Sequence, residues 1–351
     1  TGTEVTPVMK YPLEEPGNIG LSVRASKKVE QNIKVGIKVN PDSVEKYNEE
    51  NGTSYKVLSS EDTPFGAKEA VIAQNPFAAQ PMYLNIKSLD SFSDEDTFCV
   101  PIEISDVKEG DLPLLESSRI MYVLLNKTII TKAARMNGTY FMVKFEDDPA
   151  LASVPQLTME ARIYVNDYQN SSPFISTIMG LEEHFLLRIG DETIGKERWQ
   201  LAGGGYPVSS TDAMPLNRWV HVAATFDGSR ITLYLDGRMI AYTDAPRGPI
   251  NLHGISDDRR FCIGTTSNYT GRTLKGYMSE ARVWTRALTE VEIANNICAV
   301  SADAPGLLAY WKFNSWKDDA NKNIVIDYTG HGYDAVTRSS SISWMEGVRC
   351  P

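Results

Sequence analysis

The sequence predicts an all-β protein built as two β-sandwich domains, and three observations carry this. First, Val220, Val222, Ala224 and Phe226 fall at every second position, as do Ile231, Leu233 and Leu235, so each run buries one face of a strand. Asp227-Gly228-Ser229 and Asp236-Gly237 supply the positive φ of tight turns, which makes an antiparallel meander running on into Met239–Tyr242. Second, short alternating runs separated by turn residues fill the first third of the chain, with one helix among them. Third, 351 residues exceed one sandwich core and suit two.

In chain order, Ile19–Ala25 and Ile33–Val39 read as strands, the second with Ile33, Val35, Ile37 and Val39 on one face. Asn40-Pro41 then starts a helix, with Asn40 as cap and Pro41 at the first helical position. Val44 and Tyr47 share one side of it, and Asn51-Gly52 stops it. Strands follow at Ala70–Ala73, Met82–Ile86, Thr97–Ile104 and Ile120–Leu125. Thr128–Met136, polar and basic, reads as a linker, so the expected domains are 1–132 and 137–351. In the second, Tyr140–Phe145, Leu157–Val165, His184–Ile189 and Arg198–Leu201 precede the meander. Gly276–Leu288 carries a late strand, and Thr289 with Glu292 forms a capping box ahead of Ile293.

Two blocks resemble known families. Val39-Asn-Pro…Tyr47-Asn…Asn51-Gly-Thr-Ser-Tyr55, with Phe98–Ile104 and Ile120–Val123, resembles the N-terminal β-sandwich domain of Bacteroidetes surface lipoproteins and endoglycosidases. Trp219-Val-His-Val-Ala-Ala-Thr-Phe-Asp-Gly…Ile231-Thr-Leu-Tyr-Leu-Asp-Gly237, with Gly276–Leu288, Leu308–Phe313 and Ile324–Ala335, resembles the laminin-G / concanavalin A-like domains. The resemblances imply an Ig-like sandwich with one short helix, then a jelly roll. They also imply an exported protein, lipid-anchored at a bacterial outer membrane, and they assign Glu280, Arg282, His221 and the tryptophans 219, 284 and 311 to the fold.

Composition narrows the function. Hydrophobic residues make up 42 %, no apolar run approaches the roughly 20 residues of a membrane helix, and the chain opens at Thr1 without an apolar leader. A net charge of −10 with interspersed signs disfavours nucleic acid. Cys99, Cys262, Cys298 and Cys350 show no zinc spacing; a Cys298–Cys350 bond would pin the tail, and free thiols are the alternative. Sequons at Asn51, Asn126, Asn137, Asn170 and Asn268 matter only in a eukaryotic secretory pathway.

Paired carboxylates along one strand, the glucanase pattern Glu-x-Asp-x-x-Glu, are absent; Glu280 stands alone, and Glu182-Glu183 and Asp318-Asp319 are adjacent pairs that diverge on a strand. The chain has no nucleophile elbow, phosphate loop or zinc-protease motif; Gly203–Gly205 reads as a flexible turn, and none of His184, His221, His253 and His331 completes a catalytic set. Sugar binding asks for aromatic faces and amides on loops. Tyr168, Tyr206, Trp316, Asn170 and Asn314 are the candidate ligand residues, with Tyr269 in a further loop. Calcium, which many laminin-G-like domains hold, would draw on Asp147-Asp148, Asp257-Asp258 or Asp318-Asp319, with no spacing singling one out. The expected function is non-catalytic capture of an oligosaccharide or polysaccharide at a Bacteroidetes surface, alongside glycan-uptake proteins. The alternatives are a hydrolase with an atypical site and a protein–protein scaffold.

Overall fold

A computed structural model describes residues 7–51, 53–58, 65, 68–93, 96–110, 112–254, 256, 260–266, 270–318, 320–337, 339 and 342–350. Asp257-Asp258, Asn268, Tyr269, Asp319 and Gly52 lie outside the described residues. Strands dominate, as the sequence predicts, and the chain divides into two compact units, one up to Ile129 together with Cys350, the other Ile130–Arg349.

The first unit holds β1 (Val8–Leu13), β2 (Gly17–Leu21), β3 (Ile33–Val39), α1 (Ser43–Asn51), β4 (Lys56–Val57), β5 (Glu69–Ile72), β6 (Met82–Ile86), β7 (Thr97–Glu109) and β8 (Ile120–Lys127). One sheet runs β1-β8-β7-β3-β5 with β4 also on β7, and β2 pairs β6 in another. Ile33, Val35 and Ile37 from one sheet and Ile19, Leu84 and Ile86 from the other meet in a single core, which is why their alternation was legible. The helix begins two residues later than predicted. Asn40 does not cap it with its side chain; that amide donates to Glu103 Oε2 at 2.7 Å, and the Asn40 carbonyl accepts from Ser43 Oγ at 2.8 Å. The buried carboxylate of Glu103, 6 % exposed, holds the Asn40 side chain by a charge-assisted hydrogen bond. Val44 and Tyr47 do share the helix side that packs on Tyr122 and Cys99.

The second unit holds β9 (Ile129–Arg135), β10 (Phe141–Met142), β11 (Leu157–Val165), β12 (Ser176–Leu181), β13 (Phe185–Ile189), β14 (Arg198–Ala202), β15 (Val208–Ala213), β16 (Trp219–Phe226), β17 (Arg230–Leu235) and β18 (Arg238–Asp244). There follow β19 (Cys262–Ile263), β20 (Gly276–Trp284), α2 (Glu290–Asn295), β21 (Leu307–Lys312), β22 (Ile324–Val325), β23 (Ala335–Val336) and β24 (Trp344–Cys350). Two eight-stranded sheets face each other, β15-β14-β13-β12-β19-β10-β23-β22 and β18-β17-β16-β11-β20-β9-β24, with β21 also on β20. Their inner faces enclose one core, from Phe141 and Leu157 to Trp311 and Phe313.

The meander forms as the sequence predicts. Asp227 Oδ1 accepts from the Ser229 and Arg230 amides at 2.8 and 2.7 Å, and Asp236 and Gly237 take φ of 48° and 78°. The capping box at Thr289 and Glu292 is present. The linker reading of Thr128–Met136 is corrected: Ile129–Arg135 is a strand paired to β20. Ala133, Ala134 and Met136 are wholly buried there, while Lys132 before them and Arg135 among them are exposed. Cys298 and Cys350 are disulfide-bonded, whereas Cys99 and Cys262, both buried, stand outside any disulfide.

Candidate functional site

Pairing register decides which side chains of the first of these sheets turn away from the core. Leu201 and Leu187 enter it, so their neighbours Gln200 and Arg188 point outward. Gln200 stands opposite Ser209 and Arg188, Arg188 opposite Thr177, and Thr177 bridges Thr273. A polar row therefore crosses four strands on the outward face.

The row is built around the Arg188 guanidinium. Its Nη2 lies 2.6 Å from Asp191 Oδ2, and the Gln200 carboxamide oxygen, turned toward it, accepts from Nη2 and Nε at 3.1 and 3.2 Å. The amide and hydroxyl of Thr193 donate to Asp191 Oδ1 at 2.9 and 2.7 Å. Arg272 Nη1 sits 3.0 Å from Glu182 Oε1. Burial lowers the pKa of Arg188, and Asp191 and Glu182 oppose that shift while Arg272 adds to it. Burial would raise the pKa of Asp191, but the Thr193 donors with Arg188 and Arg272 outweigh it and hold it below the usual carboxylate range. The four charged side chains keep 12 to 20 % exposure, enough to touch a ligand while remaining fixed by one another. Two polar atoms in this neighbourhood are buried without a hydrogen-bond partner, Thr177 Oγ1 and Glu182 Oε2.

Three loops border the patch. Gln169 Nε2 donates to the Gly271 carbonyl at 2.5 Å, and Lys196 Nζ to Asn170 Oδ1 at 2.6 Å. The segments 166–175, 190–197 and 270–273 are thereby tied together beside Asp191 and Arg272.

Of the residues expected from sequence, Asn170 lies exposed at this rim. Tyr168 donates its hydroxyl to the Met214 carbonyl at 2.6 Å and packs its ring on the core. Tyr206 leaves a loop in which Gly203, Gly204 and Gly205 all take positive φ, and its hydroxyl reaches the Pro246 carbonyl at 3.3 Å. Met214 directly follows β15 and Tyr206 precedes it, so the two tyrosines lie toward opposite ends of that strand. Trp316 meets Trp344 edge-on, with centroids 5.7 Å apart, and Asn314 accepts from Ser315 at 3.4 Å. Each of these three aromatics is thus engaged by a segment distant in sequence.

Sequence reading missed Arg188, Gln200 and Arg272. The signal for the first two was present: a charge or amide alternates with buried residues in Phe185-Leu-Leu-Arg-Ile and Arg198-Trp-Gln-Leu-Ala. Trp219 is likewise half-buried rather than core. It stands outward on the second sheet, 5.6 Å from Tyr164, with Arg162 4.9 Å above its ring.

Glu280 belongs to a sealed network on that second sheet. Its Oε2 accepts from Arg282 Nη2 at 3.1 Å and from the Tyr310 hydroxyl at 2.8 Å. Glu160 accepts from Trp284 Nε1 at 2.8 Å and lies 3.2 Å from Arg282 Nη1 and 3.1 Å from His221 Nε2. Among the described residues, no three histidine, cysteine or acidic side chains come together to hold a metal ion. Asp148 instead accepts from the Tyr333 hydroxyl at 2.8 Å, and Asp318 from the Asn321 side chain at 2.9 and 3.0 Å.

Residues 137–294 match the model of the concanavalin A-like lectin/glucanases superfamily, and residues 1–111 match a family of N-terminal domains. No protein of curated function matches the chain. Among solved structures, a Bacteroides ovatus protein assigned to carbohydrate binding is 26 % identical, with a TM-score of 0.64 over 97 % of this chain and 96 % of its own. A heptameric SAP-like pentraxin of Limulus polyphemus is 15 % identical over 62 % of this chain and 95 % of its own, with a TM-score of 0.40. The CBM40 domain of a Ruminococcus gnavus sialidase, bound to α2,3 sialyllactose, is 14 % identical over 48 % and 96 %, with a TM-score of 0.34. The two-sheet core, the meander and the family match make the segment 137–294 a member of the concanavalin A-like lectin/glucanases superfamily.

Proposed function

We propose that this chain is a carbohydrate-binding protein without hydrolytic activity, holding an oligosaccharide or polysaccharide on the outward face that presents Arg188, Asp191, Arg272 and Glu182, with Gln200 and Thr177 buried behind them. The observation that carries the reading is the likeness, end to end in both chains, to a protein assigned to carbohydrate binding. The patch supports it: fixed, partly exposed guanidinium and carboxylate groups beside a rigid sheet are what sugar hydroxyls require. The non-catalytic part rests on Glu280 and Glu160, 5 % and 0 % exposed and already engaged by Arg282. A general acid must reach the glycosidic oxygen.

In the same reading the protein works at the surface of a Bacteroidetes cell, held by a lipid anchor beside glycan-uptake proteins. Asn170 borders the proposed face, and Tyr168, Tyr206, Trp316 and Asn314 serve as comparison positions.

The test is a glycan array followed by calorimetry on the best hit. Arg188→Ala should weaken binding roughly 10-fold or more, since it removes charged hydrogen bonds of about 1.5–3 kcal/mol each. Wild-type affinity in a folded Arg188→Ala variant would move the site elsewhere, with Tyr206→Ala and Trp316→Ala as the next variants. Reducing ends released from the bound glycan would refute the non-catalytic part. A blank array beside a pull-down of one protein partner would favour a scaffold.

A further inference from the structure

Resting on the carbohydrate-binding reading, we infer that the glycan held on this face is uncharged, and that uronic or sialic acid residues are rejected there by Asp191 and Glu182. Each guanidinium of the patch already faces a carboxylate: Arg188 at 2.6 Å from Asp191, Arg272 at 3.0 Å from Glu182. Each guanidinium is thus already answered by a carboxylate of the protein, which leaves neither one for an acidic sugar to answer. A sugar carboxylate could reach either arginine only by lying against a protein carboxylate, and in a half-buried site like charges repel strongly.

Sugar hydroxyls meet no such obstacle. A hydroxyl donates and accepts at once, so a vicinal diol can accept from an arginine N–H while donating to the neighbouring carboxylate. The arginines are also held from behind: Gln200 takes two N–H groups of Arg188, and Gln200 is 4 % exposed. Arg188 therefore cannot swing free to meet an anion without breaking three hydrogen bonds.

Matched glycans that differ only in their acid test this. The full chain is titrated with sialylated oligosaccharides and the same oligosaccharides after desialylation, and with polygalacturonate and its methyl ester. The expected result is binding of at least one neutral form, at least tenfold tighter than its acidic partner, and nearly unchanged on raising the salt. The double variant Asp191→Asn/Glu182→Gln removes the two negative charges that face the guanidinium groups. It should gain affinity for the acidic form at least tenfold, a gain that a misfolded protein cannot give. Tighter binding of an acidic form by the wild type, lost on Arg188→Ala, overturns the neutral-glycan inference and leaves the carbohydrate-binding reading standing. Failure of every neutral and acidic glycan to bind overturns both.

Discussion

Removing the guanidinium of Arg282 should destabilise the second unit far more than its charge alone suggests. Arg282 is fully buried between Glu160 and Glu280 and also donates to the Asn296 carbonyl at 2.7 Å. Arg282→Met keeps the volume of the stem but leaves two carboxylates buried with no cation between them. Breaking one buried pair by deleting a partner costs about 3–5 kcal/mol, mostly as uncompensated charge. For a unit of this size that is a fall of roughly 6 to 20 °C in melting temperature. All six tryptophans lie between residues 199 and 344, so tryptophan fluorescence follows this unit alone. The triple change Glu160→Gln/Arg282→Met/Glu280→Gln removes the stranded charge while keeping acceptors for Trp284 Nε1 and the Tyr310 hydroxyl. It should recover at least half of the loss. An Arg282→Met protein melting within about 2 °C of the parent, or a triple variant no better than the single, would refute this account of the network.

The ring of His184 accepts from the Asn251 amide at 3.0 Å, and burial followed by the nearby Arg247 lowers its pKa to about 4. The folded value lies below the unfolded one of about 6.5, so its contribution is complete above pH 6.5 and is lost as pH falls through the folded pKa. His184→Gln should flatten the melting curve between those limits; an unchanged slope would sink the assignment. A methyl on Gly276 would press on the Tyr164 carbonyl across the ladder, so Gly276→Ala should cost about 1–3 kcal/mol in chemical denaturation. Thr289→Ala removes the α2 cap and should cost about 1 kcal/mol, with Thr289→Ser restoring most of it.

How far the sequence could be read depended on whether one strand carried its own signal. β3, β6 and β11 have the bounds the sequence predicts, because each buries its apolar positions against a facing sheet. β9 was lost because Ala133 and Ala134 are adjacent and both buried, which breaks the period of two, and its pairing to β20 involves only Arg135 and Ala134. Trp219 shows a different failure. The alternation that places Val220, Val222, Ala224 and Phe226 inward puts Trp219 and His221 on the other face, yet its place in a family pattern suggested core.

The outward faces were the hard part, for a physical reason. Alternation separates two sides of a strand but does not say what covers each side. On the second sheet, Glu160 finds Trp284 across 124 residues of sequence, and α2 with its flanking segment closes over Trp284 and Tyr310, so charge there became structure. On the first sheet Arg188 and Arg272 find their partners yet stay partly open, with Thr177 and Glu182 still holding unmade hydrogen bonds. Both faces read alike in the sequence as polar residues between apolar ones. The first keeps its charged side chains 12 to 20 % exposed, whereas Glu160 and Arg282 of the second are fully buried, and that difference, a property of long-range pairing, supports the proposal of binding on the first.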